Sequence, residues 1–422
     1  MPRSKMRKTE LTWIRETNKR ERITLTAAFG GFAVDAFDFM IYTFIIPTLI
    51  AAWNMSRAEA GLIATASLLS SGVGGWAAGI LADRYGRVKV LQLTIAWFAL
   101  FTFLSGFTKS HEQLMITRTM QGLGFGGEWS VGSVLIAEMI RARHRGKAVG
   151  LVQSSWAVGW GAAAIAFSAT YSLLDANLAW RVLFWIGIIP AVLIVYIRRH
   201  VKESTTFQET RARVAAVGQR ASFLEIFSPT LLKTTSLATL LVAGMQGAYY
   251  SVTTWLPTYL KTERHLSVLN TGGYLLVLIT GAFVGYLISA YLSDRLGRKN
   301  CFILFAALAA VLVVAYTLLP MTDAAMLFLG FPLGFFLSGI FAAIGAFLSE
   351  LFPSRVRGSA QGFCYNFGRA LGATCPPLVG YLSYTMHLAQ AIGIMAGSAY
   401  LIVIITALSL PETRGKVLLA FD

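Results

Sequence analysis

The chain alternates between long apolar stretches and short charged stretches along its whole length. Each apolar stretch has about 20 residues or more, which is the length that an α-helix needs to cross a bilayer. Twelve such stretches predict membrane-spanning helices at approximately 24–52, 58–82, 88–108, 112–140, 147–173, 179–198, 234–260, 269–293, 300–320, 323–349, 358–385 and 388–410. The pattern therefore predicts an all-α integral membrane protein.

The two halves of the sequence repeat each other. The segment Gly-Ile-Leu-Ala-Asp-Arg-Tyr-Gly-Arg at 79–87 recurs as Ala-Tyr-Leu-Ser-Asp-Arg-Leu-Gly-Arg at 290–298. Six predicted spans lie on each side of the polar stretch 199–233, so we expect two pseudo-symmetric six-helix bundles with a substrate site between them. The predicted order is a cytoplasmic tail (1–23), a first six-helix bundle (24–198), a cytoplasmic linker (199–233), a second six-helix bundle (234–410) and a cytoplasmic tail (411–422).

Composition and charge support a membrane protein. The chain is 56% hydrophobic and 13% charged, whereas soluble domains average about 25% charged residues. Of the 36 Lys and Arg residues, 29 fall on one side of the predicted topology and 5 on the other. This asymmetry predicts cytoplasmic termini, and it assigns the net charge of +16 to the inner leaflet rather than to nucleic acid. The three cysteines indicate no disulfide framework, and we expect no metal site and no cofactor.

The repeated Gly-x-Leu-Ala-Asp-Arg-x-Gly-Arg pattern resembles the signature of the major facilitator superfamily, and the resemblance covers essentially the whole chain. Within that superfamily, Gly31–Tyr42 and Arg118–Trp129 resemble the first and fourth helices of the sialate:proton, metabolite:proton and aromatic acid:proton symporters. The resemblance implies a twelve-helix transporter that couples an organic anion to protons. It also implies that Arg118 is the cation near the acids of the first helix.

Two carboxylates lie near the middle of the first span, where an ionised side chain is costly. Asp35, Asp38 and Tyr42 are three and four residues apart, so they share one helix face that must contact protein or a water-filled cavity. We expect Asp38 to be the main proton carrier, with Asp35 beside it and Arg118 tuning both. The alternative is a permanent ion pair between spans one and four. Glu128 is a candidate second proton site or an acceptor for buried N–H groups.

Substrate recognition is assigned to span eleven and to two central spans. Arg369 lies near the middle of span eleven with Asn366 on its face, and no acidic residue is within one turn. A buried guanidinium suits a carboxylate substrate, although it could instead pair with a carboxylate of the other half, such as Asp35. The remaining candidates are cavity-facing polar and aromatic residues, or alternatively packing residues: Tyr42, Gln153, Trp156, Trp160, Gln246, Tyr249 and Tyr250.

The repeated charged residues predict a cytoplasmic gate in each half, in which loop arginines pair with carboxylates in one state and release them in another. In the first half the gate residues are Asp83, Arg84, Arg87, Glu138 and Arg145. Their counterparts in the second half are Asp294, Arg295, Arg298, Glu350 and Arg357. The alternative is that these charges only fix the topology.

No metal-ligand set, nucleotide-binding loop or nucleophile triad is present in the sequence, so neither an enzyme nor an ATP-driven pump is indicated. We predict a monomeric, proton-coupled importer of an organic carboxylate in the inner membrane, working by alternating access. Candidate substrates are a monocarboxylate, a sialic acid or an aromatic acid. The alternatives are a facilitator or exporter on the same fold, and a transporter-like nutrient sensor.

Overall fold

The computed structural model describes residues 13, 16–140, 145–189, 192, 197, 199–203, 223–266, 268–353 and 356–415. The helices of the first half are α1 (Lys19–Trp53), α2 (Arg57–Tyr85), α3 (Arg87–Ser105), α4 (His111–Met139), α5 (Arg145–Leu173) and α6 (Ala176–Ile186). Those of the second half are α7 (Leu232–Thr262), α8 (Val268–Leu296), α9 (Arg298–Leu318), α10 (Asp323–Gly339), α11 (Ile344–Leu351), α12 (Arg357–Gly372), α13 (Cys375–Leu382) and α14 (Leu388–Ser409).

Eight helical segments of the described chain are long and apolar enough to cross a membrane, one of them running from α10 through α11, and the described residues contain no β-strand. Span one starts earlier than predicted, at Lys19, because Asn18 and Glu21 form a reciprocal capping box. Most of the predicted linker, and the side chains of Asp83 and Arg145, lie outside the described residues.

Predicted spans ten and eleven are each interrupted, which differs from the continuous helices expected. Span ten contains the 3₁₀ turn Ile340–Ala343 between α10 and α11. Span eleven breaks after Gly372, and a new helix starts at Cys375. Pro376 and Pro377 explain this second break, because proline has no N–H for the helical ladder but fits the first turn of a new helix.

Two equivalent turns join α2 to α3 and α8 to α9. Gly86 has φ 110° and Gly297 has φ 96°, both in a region that side chains disfavour, which explains the glycine in each copy of the motif. These turns lie on the side of the membrane where α1 begins and α14 ends, hereafter the terminal side. The repeat therefore extends from the sequence to the backbone.

The two halves meet through two pairs of helices. In one pair α2 packs on α12, and in the other α5 packs on α8. The half-chain repeat exchanges these pairs, because α2 corresponds to α8 and α5 corresponds to the span that contains α12. Such an exchange is what a two-fold relation between similar bundles requires. It confirms the predicted arrangement of two six-helix bundles and leaves a central space between the pairs.

Close packing inside the first half depends on the glycines of α4. A Cβ on Gly122 would lie 2.1 Å from the carbonyl oxygen of Ser67, and a Cβ on Gly126 would lie 1.8 Å from that of Ser71. The backbones of α2 and α4 therefore approach too closely for any larger residue. This packing fixes the height and rotation of α4, which carries Glu128 into the interior.

Candidate functional site

A cavity lies between the halves at the level where both bundles contribute polar side chains. Aromatic residues dominate its wall, and one acid, one arginine and two amides interrupt them. The lining residues are Phe32, Asp35, Phe125, Trp129, Gln153, Trp156, Gln246, Tyr249, Tyr250, Tyr286, Phe341, Tyr365 and Arg369. This composition is that of a small-molecule site with few, specific polar groups.

Arg369 is the cationic group of the cavity. Its side chain is 3% exposed, and its guanidinium carbon lies 4.8 Å from the ring centre of Phe125 and 4.9 Å from that of Tyr365. Among the described residues, its Nε has no hydrogen-bond partner and its guanidinium forms no ion pair with a carboxylate. Asp35 lines the same cavity without closing a salt bridge to it. The two aromatic rings hold the guanidinium in place while its donors stay free for a ligand.

Asp35 and Glu128 form a carboxyl pair between α1 and α4. In the described part of the chain, no N–H or hydroxyl group donates a hydrogen bond to either oxygen of Asp35 or to Oε2 of Glu128. The two side chains instead lie within hydrogen-bonding reach of each other, deep in the interior. A hydrogen bond between two carboxyl groups requires that one of them carries a proton. The two side chains therefore form one buried pair of carboxyl groups between α1 and α4.

Asp38 lies outside the cavity lining, one turn from Asp35. Its Oδ2 accepts hydrogen bonds from Nη1 of Arg118 at 3.0 Å and from Nε2 of Gln121 at 2.7 Å. Asp38 is 0% exposed and Arg118 is 2% exposed, and the guanidinium also contacts the ring of Tyr42. The arrangement is the interhelical ion pair that was the alternative to a mobile proton carrier.

The predicted amide and aromatic residues divide between the cavity and the packing around it. In the lining, Trp156 donates a hydrogen bond to the hydroxyl of Tyr249 at 2.9 Å, and Gln153 accepts one from Trp129 at 3.1 Å. Gln246 and Tyr250 complete the predicted residues of the lining.

Three predicted residues lie elsewhere. Trp160 is buried in the core, Tyr42 donates to the backbone of Ala60, and Asn366 donates to Ser130 of the other half.

Sequence reasoning missed almost half of the cavity wall. The missed residues are aromatic: Phe32, Phe125, Trp129, Tyr286, Phe341 and Tyr365. Two spacings carried a usable signal, because Tyr365 lies one turn before Arg369 and Phe125 lies one turn before Trp129. The others are aromatic residues within apolar helices, and the sequence does not distinguish them from lipid-facing ones.

Contacts between α4 and α12 join the two halves on the terminal side of the cavity. The rings of Trp129 and Tyr365 stack with centres 3.4 Å apart. Beside them, Asn366 donates to Ser130 at 2.6 Å, and about one turn closer to the terminal side Gln361 donates to Ser133 at 3.1 Å. These contacts hold the two halves together at this level.

The predicted gate residues form matching ion pairs at the terminal side of both halves. Arg87 binds Glu138 at 3.2 Å, and its counterpart Arg298 binds Glu350 at 3.3 Å and also Asp294. Both pairs join an arginine at the start of a helix to the carboxylate near the end of a neighbouring one. Of the other gate residues, Arg84 is exposed and contacts the ring of Tyr85, and Nε of Arg357 donates to the carbonyl of Ser349.

Carboxylates from outside each bundle support these pairs, which the sequence reasoning did not anticipate. Glu203 accepts hydrogen bonds from the backbone N–H groups of Arg87 and Val88 at the start of α3. Glu412 does the same for Arg298 and Lys299 at the start of α9. A carboxylate at a helix N-terminus satisfies free N–H groups and complements the helix dipole.

Fold, cavity and repeated ion pairs together define a membrane transport protein built from two related bundles. The family model of the Major Facilitator Superfamily matches residues 28–331. The chain therefore belongs to the Major Facilitator Superfamily, and it is a multi-pass membrane transporter rather than an enzyme. This confirms the predicted fold class and family.

Individual relatives and structures agree with this assignment. The probable 4-methylmuconolactone transporter of Cupriavidus pinatubonensis is 43% identical over 403 residues, 96% of this chain and 93% of that protein. The cis,cis-muconate transport protein of Acinetobacter baylyi is 27% identical over 397 residues, 93% of this chain and 95% of that protein. The solved structure of the proton:xylose symporter XylE has a TM-score of 0.79 at 19% identity, covering 94% of this chain and 98% of that one, and it supports the fold alone.

Proposed function

We propose that this transporter imports a small, unsaturated or aromatic organic carboxylate together with protons by alternating access. The observation that carries the proposal is Arg369, a buried guanidinium without an ion-pair partner in the described chain, held between two aromatic rings on the cavity wall. A carboxylate substrate supplies the missing anion, because two parallel N–H···O bonds match its geometry. A neutral sugar does not supply an anion.

The cavity wall favours a compact substrate with a flat apolar part. Most of its lining is aromatic, with only Asp35, Arg369 and the amides Gln153 and Gln246 as strongly polar groups. A sialic acid carries many hydroxyl groups that would lack partners there, and each unpaired buried polar group is costly. Muconolactones and muconate, named for two relatives, are small unsaturated carboxylates of the kind that fits.

We assign proton coupling to the pair of Asp35 and Glu128. Asp35 lines the substrate cavity, and its contact with Glu128 gives a proton two alternative oxygen partners. One proton makes the import of a monocarboxylate electroneutral, and a second gives the transported set a net positive charge, so that an inside-negative membrane potential also drives accumulation. The buried pair of Asp38 and Arg118 then holds α1 against α4, and the expectation that Asp38 itself carries the proton is tested by substitution.

The proposal also includes the orientation of the chain in the membrane and the action of the predicted gate residues. The excess of Lys and Arg at the terminal side supports an inner-membrane protein with both termini in the cytoplasm. The pair of Arg87 and Glu138 and the pair of Arg298 and Glu350 stabilise the state that is closed on that side, and their release accompanies opening. The proposed transporting unit is the monomer, because the described residues of one chain line the central cavity from both halves.

The test is uptake by purified protein in proteoliposomes with an imposed inward proton gradient. Radiolabelled 4-methylmuconolactone and cis,cis-muconate are the probes, and xylose is the neutral control. We expect the gradient to drive accumulation of at least one carboxylate and not of xylose. Equal uptake with and without the gradient would identify a facilitator, and expulsion from right-side-out vesicles would identify an exporter.

The matched variants are Asp35→Asn and Asp323→Asn. Asp323 lies on the side of the membrane opposite the termini, where its carboxylate pairs with Arg264. Asp35→Asn is expected to retain substrate exchange and to lose accumulation driven by the gradient, whereas Asp323→Asn retains both. Accumulation by Asp35→Asn at the level of the unchanged chain would contradict the assignment.

A further inference from the structure

A second cavity lies entirely inside the first bundle, between α1, α3, α4 and α5. Its inner end contains Glu128, and its wall continues through Gly132 to Ile136, Leu91 and Val149. Leu91 and Val149 are each four residues from the start of their helices, about 6 Å along the axis from the terminal side. The cavity therefore extends from the carboxyl pair toward that side.

Glu128 connects the two cavities. Its partner Asp35 lines the central cavity, whereas Glu128 lines the second one, and no N–H or hydroxyl group of the described residues donates to Oε2 of Glu128. The residue is 5% exposed, so this oxygen is a buried polar atom at the inner end of the cavity. A buried carboxyl oxygen without a protein partner is a site for water.

The second cavity differs from the central one in the helices that enclose it. The stacked rings of Trp129 and Tyr365 and the hydrogen bond from Gln361 to Ser133 join the two halves on the terminal side of the central cavity. The second cavity touches Trp129 and Ser133 too, but all its lining residues belong to the first bundle. A proton can therefore move toward the terminal side within one bundle, whereas a substrate moves between the two bundles.

We propose that the second cavity is the path by which the proton of the symport reaches the cytoplasm, independently of the substrate path. The inference rests on the proposed proton coupling. In the first step the O–H bond of Asp35 breaks and an O–H bond forms on Glu128, which leaves Asp35 as a carboxylate. In the second step Glu128 transfers the proton to a water molecule in the cavity, and the resulting hydronium leaves toward the terminal side.

The wall of the outer part of the path is apolar, formed by Leu91, Ile136 and Val149. Apolar constrictions conduct protons only while they are wetted, so this segment limits leakage when no substrate moves. The charged groups that face the carboxyl pair are few. Asp35 faces Glu128, Arg369 and Asp38, and Glu128 faces Asp35.

Filling the cavity tests the proposal, and Gly132 is the position for it. A Cβ at Gly132 meets no atom within 4 Å, so Gly132→Leu places its side chain in the cavity without displacing the backbone. The matched control is Gly397→Leu on α14, where a Cβ is equally free. We expect Gly132→Leu to reduce gradient-driven uptake of 4-methylmuconolactone at least about tenfold, with exchange between loaded vesicles unchanged. The control variant should retain both activities.

A second variant tests the path without substrate. Ile136→Ser replaces an apolar wall residue with a hydroxyl, and we expect it to increase proton leakage into proteoliposomes, measured with an enclosed pH-sensitive dye, by at least about fivefold. Unchanged leakage would overturn the proposal. So would an equal loss of exchange and gradient-driven uptake in Gly132→Leu, because the cavity would then serve packing. Failure of the unchanged chain to couple uptake to protons is a separate result that refutes the proposed function.

Discussion

Replacing Arg369 is the most direct perturbation of the proposed substrate site. In the described structure the guanidinium has aromatic neighbours and no salt bridge to a described carboxylate, so its removal breaks no ion pair. The folded variant would lose the longer-range attraction to Asp35 and the cation–π attraction to two rings, of which the second is worth about 0.5–2 kcal/mol. We therefore expect Arg369→Gln to fold with a modest decrease in thermal stability.

The decrease in substrate affinity should be larger than the decrease in stability. A hydrogen bond to a charged group contributes about 1.5–3 kcal/mol, and each 1.4 kcal/mol is about tenfold in the dissociation constant. Arg369→Gln should thus raise the dissociation constant for a carboxylate by about 10- to 100-fold. Arg369→Lys keeps the charge but not the planar fork, so it should give an intermediate increase.

The assay is calorimetric titration of 4-methylmuconolactone into detergent-solubilised protein, together with half-saturation for uptake in proteoliposomes. Arg264→Gln is the matched control, because that guanidinium pairs with Asp323 outside the cavity. A folded Arg369→Gln variant that binds the carboxylate as tightly as the unchanged chain would refute the assignment. Equal decreases in Arg264→Gln would show a general effect of charge removal.

Three further substitutions test other parts of the structure. Gly126→Leu should abolish folded, monodisperse protein, because even its Cβ would lie 1.8 Å from the carbonyl oxygen of Ser71; normal gel-filtration behaviour would contradict the close packing. Gln361→Ala removes a hydrogen bond between the halves, worth about 1 kcal/mol, so spin-label distances between α4 and α12 should show about fivefold more of the open state. Asp38→Asn should destabilise the protein, since Arg118 loses its carboxylate, while the folded variant keeps gradient-driven accumulation, because the proposed proton site is Asp35 with Glu128. Loss of accumulation with exchange retained would instead support the sequence-based expectation that Asp38 carries the proton.

The architecture was accessible from the sequence because its signals are long-range and repeated. Apolar stretches of membrane-spanning length and a nine-residue motif that recurs half a chain later leave few alternatives to two similar bundles. Lone charges in apolar helices were equally informative, since Asp35 and Arg369 both line the central cavity. A charge inside a membrane span must contact something other than lipid, and here a cavity between bundles provides it.

The finer arrangement depends on helix rotation, which the sequence does not determine. Asp35 and Asp38 are only about 60° apart around the helix. Yet Asp35 faces the cavity and Asp38 faces the packing between α1 and α4, where Arg118 holds it. The break in span eleven also escaped prediction, although Pro376 and Pro377 mark it. Whether the carboxyl pair and the gate residues act as proposed stays a prediction until the variants are measured.

The carboxylate of Glu412 has a practical consequence for producing the protein. It follows the last membrane helix by three residues, yet it caps α9 and occupies the space that a Cβ on Gly297 would need. Shortening the chain after Leu410, or fusing an affinity tag there, would remove the cap and expose two backbone N–H groups at the start of α9. Purification tags and reporter fusions therefore belong beyond residue 415, where the short segment that contains Glu412 stays intact.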